Sequence, residues 1–521
     1  MAKAPTTIDD VNEAPSAHWL VRYGVSLAFL IGIFFYVGFI SRDLSDSYFL
    51  IFAAVVGGYM AMNIGANDVA NNVGPTVGSQ AMTMGGAIIL AAICEAAGAI
   101  IAGGDVVGTI KSGIIEPSLV QSSQEFIWLM GGALLAGALW LNFATWMGAP
   151  VSTTHSIVGG VLGAGLAAGG LGIANWPVMG AIALSWVISP LMGGLIAAGM
   201  LFFIKQTIMY RPDMVEAAQK FVPWLVALMA WAFGTYLVLK GIKHIWKASF
   251  IEAVIVGLVA AAITYWLTLS SIRRKARTLE NTRDNVNNLF TVPLIFAAGL
   301  LSFAHGANDV ANAIGPLAAI ADALSTGGIA REAAIPLWIL LVGALGLAVG
   351  LAVFGPKLIR TVGGEITELD KSRAFCIAIA AAVTVIIASQ LGLPVSSTHI
   401  AIGGVFGVGF LREYLKTHYA GKLHRILSKH EGEERERLRL FLDDFRNAPV
   451  EDMRQMLKDA KQNRDEVPLT KRERKRLKKI YRQELVKRQH LYRIVAAWII
   501  TVPASAAMGA VMFFMLRGML L

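Results

Sequence analysis

One seven-residue string, G-A-N-D-V-A-N, occurs twice in this chain, at residues 65–71 and 306–312, and each copy is followed by a Gly-Pro pair. A second string repeats in the same order, as P-V-S-T-T-H at 150–155 and P-V-S-S-T-H at 394–399. Polar groups are costly inside a bilayer, so polar motifs within apolar stretches mark a site. Interrupted segments at matching positions of two halves are typical of secondary transporters, whose site lies where the halves meet.

The composition predicts a membrane protein. The 521 residues are 55% hydrophobic and only 15% charged, and apolar runs of about 17 to 25 residues, the length that spans a bilayer, recur along the chain. We expect an all-α polytopic protein of the cell membrane with about 12–13 transmembrane spans. These lie near 22–40, 48–66, 82–103, 128–148, 150–169, 177–203, 222–240, 248–270, 289–307, 335–354, 374–391, 395–411 and 494–519. The first apolar run lacks a small-residue cleavage pattern, which favours a retained helix over a signal peptide.

The net charge of +10 belongs to one segment. Residues 412–493 hold 24 Lys/Arg and 14 Asp/Glu, and the rest of the chain holds 21 of each. This composition predicts a charged cytoplasmic helical insert. The insert, with its basic run at 471–479, is interpreted as a solvated helical hairpin that obeys the positive-inside rule. Regulation, or contact with anionic headgroups of the lipid bilayer, is the alternative.

Basic residues also predict that the two halves are inverted relative to each other. Loop 104–127 has a single Lys or Arg, Lys111, whereas its counterpart 355–373 has four, so the first is expected outside and the second inside. The short uncharged loop 169–176 matches the position of the basic insert, again with opposite preference. Lys240, Lys243 and Lys247 disagree with this topology, because they would face outside.

These features divide the chain into six parts. We expect an N-terminal tail and extra transmembrane helix at 1–47, a first transport repeat at 48–221, and a linking transmembrane pair with a basic cytoplasmic loop at 222–288. A second repeat follows at 289–411, then the insert at 412–493 and the last helix of the second repeat at 494–521. The repeats are expected to contain broken or re-entrant helices at their motifs.

The first motif predicts a cation site. The Asp and the Asn three residues later lie on adjacent faces of one helical turn, and the flanking Gly and Pro predict a helix break that frees carbonyl groups. Carboxylate, amide and carbonyl oxygens suit a hard cation such as Na⁺, whereas no soft ligand for a transition metal is present. The alternative is a structural role, in which each Asp caps a helix or forms a hydrogen bond across the helix bundle. The residues concerned are Asn67, Asp68, Asn71, Asn308, Asp309 and Asn312.

The second motif predicts an oxyanion site. Each hydroxyl trio follows a Pro that suits the start of a helix, so simple N-capping is one interpretation. The other is that two helix N-termini with free N–H groups surround a tetrahedral anion without a fixed positive charge that would hold it too tightly. Lys111 is indeed the only Lys or Arg between Arg42 and Lys205. The hydroxyl residues are Ser152, Thr153, Thr154, Ser396, Ser397 and Thr398.

Three further polar residues lie within apolar segments. His155 and His399 close the second motifs, where a structural role and proton transfer are both open. Glu95 is an unpaired acid within an apolar run and is a candidate for ion coupling or gating. The matching stretch of the second half, 340–351, holds only apolar residues and Gly.

The paired motifs resemble those of the inorganic phosphate transporter family, over roughly 48–203, 289–411 and the last span. The resemblance implies symport of inorganic phosphate with a cation through inverted repeats and alternating access. It implies cation contacts at both Asn-Asp motifs, with Na⁺ at Asp68 and Asp309, phosphate contacts at the six hydroxyl residues, and a functional role for Glu95. The extra first span and the insert depart from the simplest members.

Several alternatives stay open at this point. An H⁺-coupled phosphate or sulfate permease fits the same motifs, as does a passive channel. An intramembrane hydrolase using Ser152 or Ser396 with a nearby His is geometrically possible, but a duplicated nucleophile and base argue against an enzyme. No G-x-x-x-x-G-K-[ST] loop occurs, which argues against ATP drive. We expect no cofactor beyond the coupling ion, no nucleic-acid partner, and either a monomer or a homodimer.

Overall fold

The structure, a computed structural model, describes residues 17–447 except 45, 148–150, 242–245, 247, 327–334, 365–368 and 428–431, then positions 456, 459–460, 467 and 469, and residues 488–520. The described residues form helices and no strand. Pro150, Lys243, Lys247 and the basic run at 471–479 lie outside them, so the predictions for these residues stay predictions.

The first half contains eight helices, with a loop of mixed helical turns after the fifth. They are α1 (Ala17–Ile40), α2 (Ser47–Asn67), α3 (Val69–Gly78), α4 (Met84–Ala102), α5 (Gly104–Gly108), α6 (Ser123–Trp146), α7 (Thr153–Gly169) and α8 (Trp176–Ile204). A π-helical turn, Thr109–Gly113, directly continues α5.

A linking pair and the second half follow. The remaining helices are α9 (Met214–Tyr236), α10 (Phe250–Ala276), α11 (Arg283–Leu289), α12 (Thr291–Thr326), α13 (Leu337–Gly364), α14 (Lys371–Gln390), α15 (Ser397–Leu427), α16 (Gly432–Asn447) and α17 (Arg488–Leu520).

Eleven helical segments of the described chain are long and apolar enough to cross a membrane. The two helices that follow the P-V-S motifs, α7 and α15, are not among them; α7 has only 17 residues. α15 has 31 residues. The helices agree with an all-α polytopic membrane protein.

The predicted helix break at the first motif is found in one copy only. In the first half α2 ends at Asn67 and α3 begins at Val69, with Asp68 between them at φ −86° and ψ −35°, still helical values. In the second half α12 runs unbroken through the motif and past Pro316. The expectation of freed carbonyls was therefore wrong for the second copy, where the helix continues through the motif. The proline does not cause this difference, because Pro75 and Pro316 lie at the same offset from their motifs and both lie inside a helix.

Helices of one half pack against helices of the other. A Cβ on Gly306 in α12 would collide with the backbone carbonyl of Glu95 in α4, and a Cβ on Gly65 in α2 would collide with that of Leu347 in α13. Only glycine permits such close backbone approach. The two contacts are equivalent, so each Asn-Asp motif is held by a helix from the opposite half.

The chain divides into two compact units, Met1–Val405 with Arg488–Leu521, and Phe406–Lys487. The first contains both pairs of motifs. In the second, α16 carries an exposed ion pair between Arg437 and Glu433 and buries Leu438 and Leu442. The amphipathic pattern of α16 fits a helix of a charged insert.

Candidate functional site

Two buried helix N-termini carry the hydroxyl motifs. Ser152 caps α7, its Oγ accepting from the backbone N–H of His155 at 3.1 Å, and Ser396 Oγ accepts from the N–H of His399 at 3.3 Å. The capping interpretation thus holds for both serines. The next hydroxyls, on Thr153, Thr154, Ser397 and Thr398, are each at most 1% exposed.

These hydroxyls donate to the carboxylates of the first motifs. Thr153 Oγ1 donates to Asp68 Oδ2 and Ser397 Oγ donates to Asp309 Oδ2, both at 2.8 Å. Thr398 Oγ1 donates to the second oxygen of Asp68 at 3.1 Å. Asp68 therefore accepts hydrogen bonds from both N-termini, and the two predicted sites form one network.

The last Asn of each motif binds the hydroxyls of the opposite half. Asn71 Nδ2 donates to Thr398 Oγ1 at 2.9 Å, and Asn312 Nδ2 donates to Thr154 Oγ1 at 3.1 Å. The two bonds are equivalent in the two halves. Asn312 Nδ2 also lies 3.1 Å from Thr153 Oγ1.

The first Asn of each motif is anchored to the helix that precedes a hydroxyl motif. Asn67 Nδ2 donates to Thr145 Oγ1 at 2.8 Å in α6, and the Asn308 amide lies 2.9 Å from Ser389 Oγ in α14. With the amide turned, the Asn308 oxygen accepts from Ser389 Oγ at 2.9 Å, and its nitrogen donates to Asp309 Oδ1 and to the Val395 carbonyl, each at 3.1 Å. Thr145 and Ser389 were not predicted, since neither belongs to a repeated string.

A histidine that the sequence motifs did not single out bridges two acids. His305 Nδ1 lies 2.7 Å from Glu95 Oε2, and its Nε2 lies 2.8 Å from Asp309 Oδ2. Glu95 Oε1 also accepts from Asn72 Nδ2 at 2.8 Å. The first copy has Ile64 at the position that corresponds to His305, and the second half has no acid that corresponds to Glu95. Each of these two residues therefore occurs in one half only, and the two contact each other. This asymmetry was visible in the sequence.

The carboxylates and this histidine converge on one point. Ligand atoms of Asp68, His305 and Asp309 all lie within 4.8 Å of one another, and the three residues are at most 1% exposed. Nearby amide oxygens on Asn67, Asn72 and Asn312 are buried and have no hydrogen-bond partner in the described structure. Oxygen donors of this kind suit a hard cation. Both ring nitrogens of His305 contact carboxylate oxygens, so the ring lies between Glu95 and Asp309. This arrangement does not resemble a site for a soft metal.

His155 and His399 lie outside this network. Their rings are 4.6 Å apart and are flanked by Trp186 at 3.8 Å and Trp498 at 3.6 Å. No residue of the described chain forms a hydrogen bond with their ring nitrogens. In the described residues neither ring therefore forms the hydrogen bond to Ser152 or Ser396 that a nucleophile–base pair requires.

Comparison with known proteins gives one consistent result. A sequence model described as "Phosphate transporter family" matches residues 64–509. A Helicobacter pylori (strain J99) protein named "Putative phosphate permease" is 53% identical over 504 residues, which cover 95% of this chain and 94% of the relative. A Pyrococcus horikoshii protein of the same description is 38% identical over 363 residues, 70% of this chain and 89% of the relative.

A solved structure is also similar. The structure titled "The sodium-dependent phosphate transporter" superimposes with a TM-score of 0.74 at 32% sequence identity. The match covers 91% of this chain and all of that chain.

Proposed function

This chain belongs to the phosphate transporter family, a family of transporters rather than enzymes, and we propose that it imports inorganic phosphate together with Na⁺ by alternating access. It is a multi-pass protein of the cell membrane, with eleven membrane-competent helices in the described residues. The family and the sodium-dependent structural neighbour support both the anion and the cation of this proposal.

One observation carries the proposal: the hydroxyls proposed for phosphate are bonded to the carboxylates proposed for Na⁺. Thr153 and Thr398 both donate to Asp68, and Ser397 donates to Asp309. A hydroxyl has one proton, so it donates either to the carboxylate or to a phosphate oxygen. Binding of one solute therefore changes the hydrogen bonds available to the other.

Electrostatic repulsion explains why Na⁺ binding favours phosphate binding. Asp68, Asp309 and Glu95 are buried together with a single neighbouring imidazole. Phosphate entering beside buried carboxylates would be repelled, because like charges interact strongly where water is excluded. A Na⁺ held by Asp68 or Asp309 neutralises that repulsion and draws the carboxylate away from the hydroxyls. Those hydroxyls, and the N–H groups of α7 and α15, then bind the anion at two positive helix ends.

The paired architecture supports alternating access. Asn71–Thr398 and Asn312–Thr154 are equivalent bonds that join opposite halves at the same site. Two related halves around one fixed site can rock between two arrangements that expose it to opposite sides.

Uptake of ³²P-phosphate into proteoliposomes that contain only this protein tests the proposal. We expect accumulation with an inward Na⁺ gradient and none with an inward H⁺ gradient alone. Accumulation with H⁺ alone would favour the H⁺-coupled alternative and move the coupling role to Glu95 and His305. If the protein takes up labelled sulfate but no phosphate, sulfate replaces phosphate as the proposed substrate.

A further inference from the structure

A buried ion pair joins the two halves away from the central site. Lys111 Nζ lies 3.0 Å from Asp322 Oδ2, and the side chains are 6% and 10% exposed. Lys111 belongs to the π-helical turn after α5, and Asp322 lies near the end of α12. Ion pairs buried to this degree contribute little net stability, because desolvating the charges offsets their attraction. Stability alone therefore does not explain why the pair is buried.

The turn that carries Lys111 is fastened to the second half beside the phosphate site. Thr109 Oγ1 donates to the Gly392 carbonyl at 2.7 Å, two residues before the Pro of the second hydroxyl motif. Ile110 packs against Gly315, so that a Cβ there would lie 2.7 Å from Ile110 Cγ2. Gly315 is one helical turn from Asn312. The π-helical turn therefore packs against segments that adjoin both motifs of the second half, and π-helical turns are frequent at functional positions.

The two charged residues of this ion pair line a cavity of about 210 Å³. Lys111 and Asp322 are its charged lining residues, and its other walls include Ile40, Leu50, Ala318 and Trp338. In the topology expected from the basic loops, this face is external. The ion pair therefore joins the wall of this cavity to the turn that packs beside the phosphate site.

We propose that Lys111 and Asp322 form a gate that opens when phosphate replaces Asp322 as the partner of Lys111. This inference rests on the proposed transport of phosphate. Separating the pair would leave two unpaired buried charges, which is strongly unfavourable. An incoming anion removes the part of that penalty that belongs to the ammonium, because it pairs with the Lys111 charge, which a cation cannot do. Binding of phosphate to Lys111 thus opens the ion pair. The anion then passes the turn and reaches a central site in which the described residues include no Lys or Arg.

Kinetics of phosphate uptake in proteoliposomes test the gate. Lys111→Met removes the anion's first partner, so we expect the KM for phosphate to rise about tenfold or more, as for loss of a hydrogen bond to a charged group. Asp322→Asn removes the competitor, so KM should not rise while the maximal rate falls. Arg42→Gln is the matched control, since Arg42 forms an exposed pair with Asp43, with side chains 67% and 91% exposed.

A double variant separates gating from folding. Lys111→Met with Asp322→Leu replaces the pair by apolar groups, which buried sites tolerate well. We expect a thermal unfolding midpoint near that of the unmodified protein together with a raised KM. An unchanged KM in this variant, or in Lys111→Met alone, would overturn the gate.

Restoring the charge gives the sharpest readout. Cys94 and Cys376 are the only cysteines, so both are replaced by alanine before Lys111→Cys is introduced. An aminoethyl methanethiosulfonate, which adds an ammonium group, should restore a low KM; a neutral methyl reagent of the same class should not. Equal restoration by both reagents would contradict a role for the charge. If the unmodified protein takes up no phosphate under any gradient, the proposed function fails; if it does and these variants match it, only the gate fails.

Discussion

Asn71 Nδ2 donates a 2.9 Å hydrogen bond to Thr398 Oγ1, which joins the cation motif of the first half to the anion motif of the second. The equivalent bond of the other half runs from Asn312 to Thr154. The two Asn-Asp motifs and the two hydroxyl motifs therefore form one hydrogen-bonded site rather than two separate ones. Several consequences can be measured.

Asp68→Asn should abolish Na⁺-dependent phosphate uptake while the protein still inserts and folds. Asp68 accepts from Thr153 and Thr398, and an amide keeps an acceptor oxygen but loses the charge that attracts a cation. We expect the initial rate of uptake to fall at least about a hundredfold, which lies at the upper end of ordinary coupling free energies. Initial rates in proteoliposomes measure this, with Asn63→Ala, a residue outside the network, as the control. Normal Na⁺-dependent uptake by Asp68→Asn would remove this residue from the cation site.

Glu95 and His305 should behave as a pair. His305→Gln leaves the buried Glu95 and Asp309 without the imidazole that lies between them, which costs about 3–5 kcal/mol of stability. Glu95→Gln leaves His305 in contact with Asp309 and should cost less. Because Glu95 and His305 are in contact, the destabilisation of the double variant should be smaller than the sum of the single ones. Thermal or denaturant unfolding of purified protein measures the three values. Additive losses would show that the 2.7 Å contact between these residues is not energetically coupled.

Gly306→Ala should weaken the packing of α4 on α12. Its Cβ would collide with the carbonyl of Glu95, and accommodating an extra methyl in a packed interior costs about 1–3 kcal/mol. Gly65→Ala should do the same against Leu347. Gly85→Ala is the control, because nothing lies within 4 Å of the added methyl. Unfolding midpoints equal among the three variants would contradict the close approach of the two halves.

Asp370 predicts a pH dependence of stability. Burial acts against its ionised form, but Arg373 at 3.2 Å and hydrogen bonds from the Arg373 N–H and Ser372 hold its pKa below the usual range. A lowered pKa in the folded state stabilises the protein above the unfolded value of about 3.9. That stability is lost as the pH falls through the folded pKa.

Unfolding of Asp370→Asn as a function of pH tests this. Asparagine still caps α14, so the difference in unfolding midpoint from the unmodified protein should be present at neutral pH and shrink below about pH 4. Asp213→Asn, which makes the same change at the N-cap of α9, is the control. A pH-independent difference for Asp370→Asn would mean that the carboxylate charge does not stabilise the fold.

Much of the site was predictable because its chemistry is duplicated. The paired strings named Asp68, Asp309 and the hydroxyl residues, and the structure brings them together. The roles of these residues in transport stay predictions. The capping of α7 and α15 also followed from Ser after Pro at a helix start.

What could not be predicted depends on contacts between distant segments. His305 lies in an ordinary helical context, and only the packing of α4 against α12 shows its contact with Glu95. Thr145 and Ser389 gain their roles in the same way. The unbroken α12 was missed for a different reason: the motif string is identical in both copies, yet tertiary packing decides whether the helix continues.

In the proposed mechanism Na⁺ releases the hydroxyls that bind phosphate, and equilibrium binding of ³²P-phosphate to the purified protein measures this coupling. Binding is compared in Na⁺ and in choline at equal ionic strength. We predict binding at least about tenfold tighter in Na⁺ for the unmodified protein, as for an ordinary coupling free energy, and no such difference for Asp68→Asn. Equal phosphate affinity in Na⁺ and choline for the unmodified protein would contradict the account.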